Sequence, residues 1–234
     1  MSMGICAIWG APRSGKTSLA LNLAYAASRR GKSVCLISPT EYSELSSLLN
    51  IKISKSHCLQ SALSGKENIR QSVFKADDLL YVLASPVSAD AFDDNYSSEQ
   101  VKSLLDAAKL TFDLVIVDCP SETNNLIAAW SLNMADIVLL CLGGHISCAL
   151  WYETQKRALQ AMQNKASFVC TQLTSDFDYE AMFTYMKCTP IVKIPYVSEA
   201  SILQNERTLL YQLSGKKGKS YVKAINKLLE VIKI

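Results

Sequence analysis

The folds open to this chain are limited above all by a glycine-containing segment near its N-terminus, Gly10-Ala11-Pro12-Arg13-Ser14-Gly15-Lys16-Thr17. The segment matches the pattern GxxxxGK[ST] at every specified position. An apolar, strand-like run precedes it at residues 5–9, and a helical pattern rich in Ala and Leu follows at residues 16–30. A strand, a glycine loop and a helix in this order form a phosphate-binding loop, so the sequence predicts an α/β fold with a nucleotide site.

Each residue type in this segment has a chemical reason. Gly10 and Gly15 let the backbone curl without Cβ clashes, so that successive N–H groups point at phosphate oxygens beside a helix N-terminus. We predict that Lys16 reaches the β- and γ-phosphates and that the Thr17 hydroxyl ligates the magnesium ion bridging them. The other nucleotide contacts predicted here are Ala11, Pro12, Arg13, Ser14 and Ser18. A glycine turn that merely starts a helix is the alternative, and motif and context together argue against it.

Apolar runs and helical patterns alternate along the chain. The predicted strands are residues 5–9, 33–37, 79–83, 114–117, 137–142, 167–170 and 191–194. The predicted helices are residues 16–30, 41–49, 99–110, 124–134, 146–163, 178–186 and 219–232. Nearly continuous apolar strands indicate a sheet covered on both faces, and intervening helices require parallel crossovers. We predict a doubly wound α/β fold in a single domain, residues 1–234, with a mostly parallel sheet of about seven strands flanked by helices on both faces.

A carboxylate follows one of these strands, at the sheet edge where ligands of open α/β sheets bind. Residues 112–120 read Phe-Asp-Leu-Val-Ile-Val-Asp-Cys-Pro, so the strand delivers Asp118 at its carboxyl end. Beside a phosphate loop, we interpret Asp118 as the magnesium partner of Thr17 and as a catalytic residue together with Lys16. An aspartate that only caps the next helix is the alternative interpretation.

These segments together resemble the MinD/ParA family of deviant P-loop ATPases. The shared features are the N-terminal phosphate loop, a second strand, the strand ending in Asp118 and Pro120, and Ile194-Pro195-Tyr196 before a short helix. The resemblance covers essentially the whole chain. It implies ATP and Mg²⁺ as ligands, with Pro195 lying against adenine, and an ATP-dependent homodimer that recruits partner proteins.

Three positions depart from the family pattern. Ala11 stands where the family has a signature lysine that crosses the dimer interface, and Arg13 is either a replacement for that charge or a solvated loop residue. Ser38 and Thr40 stand where a pair of aspartates would help to orient the attacking water. Thr171 or Gln172 stands where an asparagine would contact the base. The missing lysine is reminiscent of the TadZ/CpaE branch, which localises pilus-assembly machinery.

The departures shape the expected function. Losing water-orienting carboxylates removes positioning rather than binding, so we predict tight ATP binding with weak hydrolysis. No guanine-reading NKxD segment follows the strand at 167–170, which favours ATP over GTP. The leading hypothesis is an ATPase whose nucleotide state controls dimerisation and the positioning or assembly of partner machinery. The alternatives are a nucleotide-binding scaffold without hydrolysis, a partition ATPase that binds DNA nonspecifically, and a metabolic P-loop enzyme.

Composition limits the setting and the partners. The net charge of +3 comes from interspersed charges, and Lys156 with Arg157 is the one small cationic pair considered for DNA. Several cysteines lie inside apolar runs, which indicates buried thiols in a reducing cytoplasm: Cys6, Cys35, Cys141 and Cys170. No secretion signal is recognised, and a zinc site is not expected, since neither His57 nor His145 has a second ligand at a suitable spacing.

Two further segments allow predictions about the surface of the protein. Residues 219–232 alternate lysines with an apolar stripe, which predicts a helix docked on the sheet or, as the less favoured alternative, lying peripherally on an anionic membrane. Residues 85–98 are polar and acidic, with Asp90, Asp93 and Asp94, and are predicted to form a surface loop.

Overall fold

The computed structural model of the chain describes residues 4–65, 67–88 and 95–233. The strands within them are β1 (Ile5–Gly10), β2 (Val34–Ile37), β3 (Phe74–Lys75), β4 (Leu80–Leu83), β5 (Leu114–Asp118), β6 (Ile137–Leu142), β7 (Ala166–Leu173) and β8 (Val192–Pro195). The helices are α1 (Lys16–Arg29), α2 (Leu45–Leu48), α3 (Leu59–Leu63), α4 (Ile69–Ser72), α5 (Ser98–Thr111), α6 (Leu126–Met134), α7 (Ile146–Thr154), α8 (Lys156–Ala161), α9 (Tyr179–Met186), α10 (Ala200–Asn205) and α11 (Gly215–Val231). A 3₁₀ helix covers Leu210–Gln212.

All strands of the described chain belong to one sheet with the order β3-β4-β2-β5-β1-β6-β7-β8. Each neighbouring pair is parallel except β3 with β4. β1 lies between β5 and β6, and Ile8 pairs with Asp118 in register. Because parallel strands end at the same edge, this register brings the loop after β1 and the residues after β5 together.

Both faces of the sheet are covered, which explains the continuous apolar strands. Along β1, Ala7 and Trp9 join the core formed with α5, α6, α7 and α9. Cys6 and Ile8 join the opposite core, formed with α1 and α11. Successive side chains of a strand point to opposite faces, so a strand between two helical layers is apolar at every position.

The predicted fold class is confirmed, with differences in the elements. The sheet has eight strands rather than seven, because the two-residue strand β3 pairs antiparallel with β4 and is too short to show a pattern. The single helix predicted at 146–163 is wrong: it is divided into α7 and α8 at Gln155, whose φ and ψ are −97° and 6°. The helix predicted at 41–49 is reduced to α2, and the last helix begins earlier, at Gly215. The short helices α3 and α4 were not predicted, whereas α10 is the short helix expected after Tyr196.

The last helix, α11, docks its apolar stripe on the sheet. The side chains of this stripe are buried: Tyr221, Ala224, Ile225, Leu228 and Leu229. The docked arrangement predicted for α11 is thus the one found, with β8 and α1 covering the apolar side chains of this stripe. Among the described helices, none is both long and apolar enough to cross a bilayer.

Two other sequence predictions meet the structure here. All eight cysteines lie in the described part of the chain, and each is a buried free thiol. Burial raises the pKa of the Cys6 thiol to about 12, so it behaves as a small apolar side chain. In the predicted acidic loop, Asp90, Asp93 and Asp94 lie outside the described residues.

Candidate nucleotide-binding site

The segment between β1 and α1 curls into a loop through positive φ values. Gly10 has a φ of 156°, Arg13 of 60° and Gly15 of 76°. A Cβ on Gly10 would lie 2.3 Å from the backbone oxygen of Cys141 in β6, which only a residue without a side chain avoids. The motif glycines therefore serve both the curl of the loop and its close approach to the neighbouring strand.

The ammonium of Lys16 lies inside this loop. Its Nζ donates to the Ala11 carbonyl oxygen at 2.8 Å and to the Ser121 hydroxyl at 2.8 Å. Burial lowers the pKa of Lys16, and the neighbouring Cys141 and Asp118 act in the opposite direction. The site thus holds a partly desolvated cation at the N-terminus of α1, where a phosphate would be favoured.

A hydroxyl and a carboxylate meet beside Lys16. Thr17, the second residue of α1, donates its hydroxyl hydrogen to Asp118 Oδ2 at 2.7 Å. Burial raises the pKa of Asp118 to about 6, against the lowering effects of the Thr17 hydrogen bond and the Lys16 charge. Hydroxyl and carboxylate oxygens are the donors that Mg²⁺ prefers, so this pair fits the predicted magnesium site.

A cavity of about 380 Å³ opens beside the loop. Several residues predicted to contact the nucleotide line it: Arg13, Gly15, Ser18, Thr171, Gln172 and Pro195. Residues that were not predicted also line it, among them His145, Tyr196, Ser201, Gln204 and Tyr221. The predicted site residues that are not in this lining are Gly10, Ala11, Pro12, Ser14, Lys16, Thr17 and Asp118. Ala11 and Ser14 are fully buried in the loop. The structure thus places the predicted base contacts in the cavity and most of the predicted phosphate contacts in the loop beside it.

Thr171 and Gln172, at the end of β7, differ in what they do. The Thr171 hydroxyl donates to the Ser14 carbonyl oxygen at 2.6 Å, so it braces the loop and can only accept a hydrogen bond from a base. Gln172 lies in an irregularity of the β7–β8 pairing with a φ of 56°. The Gln172 amide lies next to Gly15, and its backbone oxygen accepts from the Tyr179 hydroxyl at 2.7 Å. Gln172 therefore lies beside the start of α1 and also lines the cavity.

The segment after β2 contains hydroxyls where the family pattern has carboxylates. The Ser38 and Thr40 hydroxyls lie 3.3 Å apart, and Thr40 donates to the Tyr42 carbonyl oxygen. The Asn125 side chain donates to the Pro39 carbonyl oxygen at 2.6 Å, which joins this segment to α6. The hydroxyls are thus engaged within the segment and supply no negative charge.

Two residues that help to hold the Lys16 ammonium were not predicted from the sequence. Ser121 accepts from the Lys16 ammonium, and Trp151 in α7 donates its indole N–H to the Ser121 carbonyl oxygen at 3.1 Å. The available signal for Ser121 was its place three residues after Asp118, at the same sheet edge. For Trp151 there was none, because its contact depends on how α7 packs.

A phosphate loop after the central strand of a parallel sheet, with a hydroxyl–carboxylate pair beside it, defines the P-loop nucleotide-binding class. Within that class, the chain belongs to the AAA_31 family, described as an AAA domain, whose model matches residues 12–150. The resemblance to MinD/ParA ATPases predicted from the sequence is confirmed.

The similar proteins include MinD. The septum site-determining protein MinD of Bacillus subtilis is 30% identical over 111 residues, which are 46% of this chain and 41% of that protein. The chain thus spans less than half the length of this curated relative. Among solved structures, MinD of Pyrococcus horikoshii complexed with Mg-ADP is 20% identical with a TM-score of 0.77, covering 97% of this chain and 96% of its own. A ParA family ATPase of Chlorobium tepidum is 15% identical with a TM-score of 0.79, and the match covers 96% of this chain and 99% of that ATPase. At these identities the structures establish the fold.

Proposed function

We propose that this chain is an ATP- and magnesium-binding, weakly hydrolysing ATPase whose nucleotide state controls dimerisation and the positioning or assembly of partner machinery. The observation that carries the proposal is the convergence of Lys16, Thr17 and Asp118 on one loop through hydrogen bonds of 2.7 to 2.8 Å. This arrangement supports both the predicted function and the predicted roles of these three residues.

The Thr17 hydroxyl and the Asp118 carboxylate together fit a magnesium ion. These two oxygen ligands would hold the ion. When bound, the ion would supply positive charge that offsets the negative charge of the phosphates. The P. horikoshii MinD, a protein of the same fold, is complexed with Mg-ADP, which supports a magnesium-bound adenine nucleotide as the ligand of this chain.

The cavity lining favours adenine over guanine. Among the described residues that line it, none carries a carboxylate, the group best suited to accept the two N–H hydrogens on the guanine edge. The side chains of Gln172 and Gln204 each offer an amide donor and an acceptor, which matches the N6 donor and N1 acceptor of adenine. Pro195 supplies an apolar surface for the ring.

Weak hydrolysis follows from the segment after β2. Ser38 and Thr40 bring hydroxyls but no carboxylate, so water-orienting charge is lacking at these positions. Because phosphoryl transfer depends on positioning and charge stabilisation, this loss slows turnover more than binding. The same observation supports the second candidate, a nucleotide-binding scaffold without hydrolysis.

The dimer and partner parts of the proposal rest on the loop surface. Ala11 is fully buried and uncharged, whereas Arg13 is exposed at the cavity rim. Arg13 is therefore the residue that would supply a cation to its own nucleotide or to the nucleotide of a second subunit. Membership of the TadZ/CpaE branch stays a prediction.

Nonspecific DNA binding is less favoured. Of the cationic pair considered for it, Lys156 at the start of α8 forms a salt bridge with Glu153 near the end of α7. That pairing lowers the positive charge available to phosphates on this face.

The test measures ATP hydrolysis, Mg-ATP affinity by calorimetry and mass by light scattering on one preparation, with Lys16→Ala beside it. Losing a charge-assisted phosphate contact is expected to weaken Mg-ATP binding about 10- to 100-fold. Lys52→Ala, which removes an exposed lysine, is the matched control and is expected to bind as the wild type does.

The outcomes separate the candidates. Binding, dimerisation and slow turnover that all depend on Lys16 support the positioning ATPase. Binding without turnover leaves the scaffold, and a wild-type protein that binds no ATP rejects both.

A further inference from the structure

The Lys16 ammonium has a partner outside the phosphate loop. An ammonium carries three donor hydrogens. Among the described atoms, the acceptors within hydrogen-bond distance are the Ala11 carbonyl oxygen of the loop itself and the hydroxyl of Ser121, 105 residues further along the chain. With these two bonds made, one N–H remains to meet an anion, and its direction is set by the other two.

Ser121 is itself held in place from a third element. The Trp151 indole donates to its carbonyl oxygen at 3.1 Å, and both residues are buried. The Trp151 ring meets Trp9 edge to face, with centroids 4.7 Å apart and planes at 73°. Trp9 directly precedes Gly10, so Trp151 of α7 packs under the start of the phosphate loop while bonding the residue that holds Lys16.

An ordinary structural role does not account for the Ser121 hydroxyl. The N-cap of α6 is Asn125, whose side chain accepts from the Ala128 N–H, so Ser121 caps no helix there. Its hydroxyl accepts from a cation that the fold has partly desolvated, and such a bond is stronger and more directional than one between neutral groups.

We propose that Ser121 is a positioning residue for Lys16, held by Trp151, which aims the remaining ammonium hydrogen at the terminal phosphates of the nucleotide. The proposal rests on the proposed function for its ligand. It adds a residue that acts on the phosphates through Lys16, and it ties the alignment of Lys16 to the packing of α7 against β1.

The first test compares Ser121→Ala with Ser72→Ala, a matched change at a buried serine whose hydroxyl has no partner in the described structure. Ser121→Ala is expected to weaken Mg-ATP binding about tenfold, in line with the loss of one charge-assisted hydrogen bond, and Ser72→Ala to leave it unchanged. Ser121→Thr keeps a hydroxyl and is expected to restore most of the affinity.

The double variant assigns the effect to Lys16. In the Lys16→Ala background, Ser121→Ala is expected to cause no further loss of affinity, because the group it positions is gone. An equal loss in both backgrounds would overturn the proposal, as would tighter binding by Ser121→Ala, which would make Ser121 a competitor for the ammonium.

A measurement without nucleotide separates this inference from the proposed function. The ¹⁵N resonance of the Lys16 ammonium, assigned by its disappearance in Lys16→Ala, is expected to shift and its hydrogens to exchange faster in Ser121→Ala but not in Ser72→Ala. An unchanged resonance rejects the inference even where ATP binds. A changed resonance in a protein that binds no ATP rejects the proposed function and leaves the Ser121–Lys16 contact standing.

Discussion

Asp118 shows how the fold changes the chemistry of a single side chain. A free aspartate has a pKa near 3.8, and burial at the end of β5 raises that of Asp118 to about 6. Thr17 and Lys16 favour the charged form but do not outweigh the loss of solvent. The site therefore holds a carboxylate whose charge is costly until a cation compensates for it, which suits a residue predicted to hold magnesium.

This shift predicts a pH dependence of stability in the protein without nucleotide. Because the folded-state pKa is raised, the contribution of Asp118 is fully present below about pH 4 and is lost as the pH rises through about 6. The loss amounts to at most about 3 kcal/mol. We expect urea unfolding between pH 4 and 8 to show the free energy of unfolding of Asp118→Asn rising relative to that of the wild type as the pH increases. If the two free energies change in parallel with pH, the raised pKa is contradicted.

At the scale of elements, the contact between β1 and β6 decides whether the loop can form. The loop leaves β1 at Gly10, directly against the backbone of Cys141 in β6. β7 then holds the far side of the loop through the Thr171 hydroxyl and the Ser14 carbonyl oxygen. The phosphate loop is thus supported by strands on one side of β1, while Asp118 comes from β5 on the other.

Gly10→Ala tests this contact. The added Cβ would meet the Cys141 oxygen at 2.3 Å, and neither backbone can move freely within a sheet, so we expect a loss of about 3 kcal/mol in the free energy of unfolding. Gly31→Ala is the control: its φ of 80° is also positive, but a Cβ there meets nothing within 4 Å. Gly31→Ala should lower the free energy of unfolding only through backbone strain, by about 1 kcal/mol. Equal losses in the two variants would show that the clash is relieved.

At the scale of the whole molecule, the structure decides what α11 does. Its apolar stripe fits against α1 and β8 in one of the two cores, and most of its lysines face solvent. Lys217 pairs with Glu199 near α10. Closing this face of the sheet also closes the cavity beside the loop, since Tyr221 belongs to its lining.

Truncating the stripe should therefore destabilise the whole fold. Leu228→Ala removes a fully buried side chain and is expected to lower the free energy of unfolding by about 2 to 5 kcal/mol. Val231→Ala, on the same helix but 43% exposed, should change it by less than about 0.5 kcal/mol. A small effect of Leu228→Ala in urea unfolding would mean that α11 is not part of the cooperative fold.

Features carried by short stretches of chain were predictable from the sequence. The phosphate loop, the apolar strands and Asp118 at a strand end each depend on neighbouring residues and on backbone geometry, so their patterns are local. The strand β3 and the short helices α3 and α4 were missed because two to five residues are too few to display a periodicity.

The sequence by itself determined the fold class, the loop and the residues predicted to face the phosphates. Only the tertiary structure decided that Ser121 and Trp151 stand behind Lys16, that Thr171 braces the loop, and that the α11 stripe is buried. The Lys16–Ser121 and Thr171–Ser14 bonds join residues 105 and 157 positions apart. Such contacts follow from the order of strands in the sheet, which brings distant residues to one edge without leaving a pattern in the sequence.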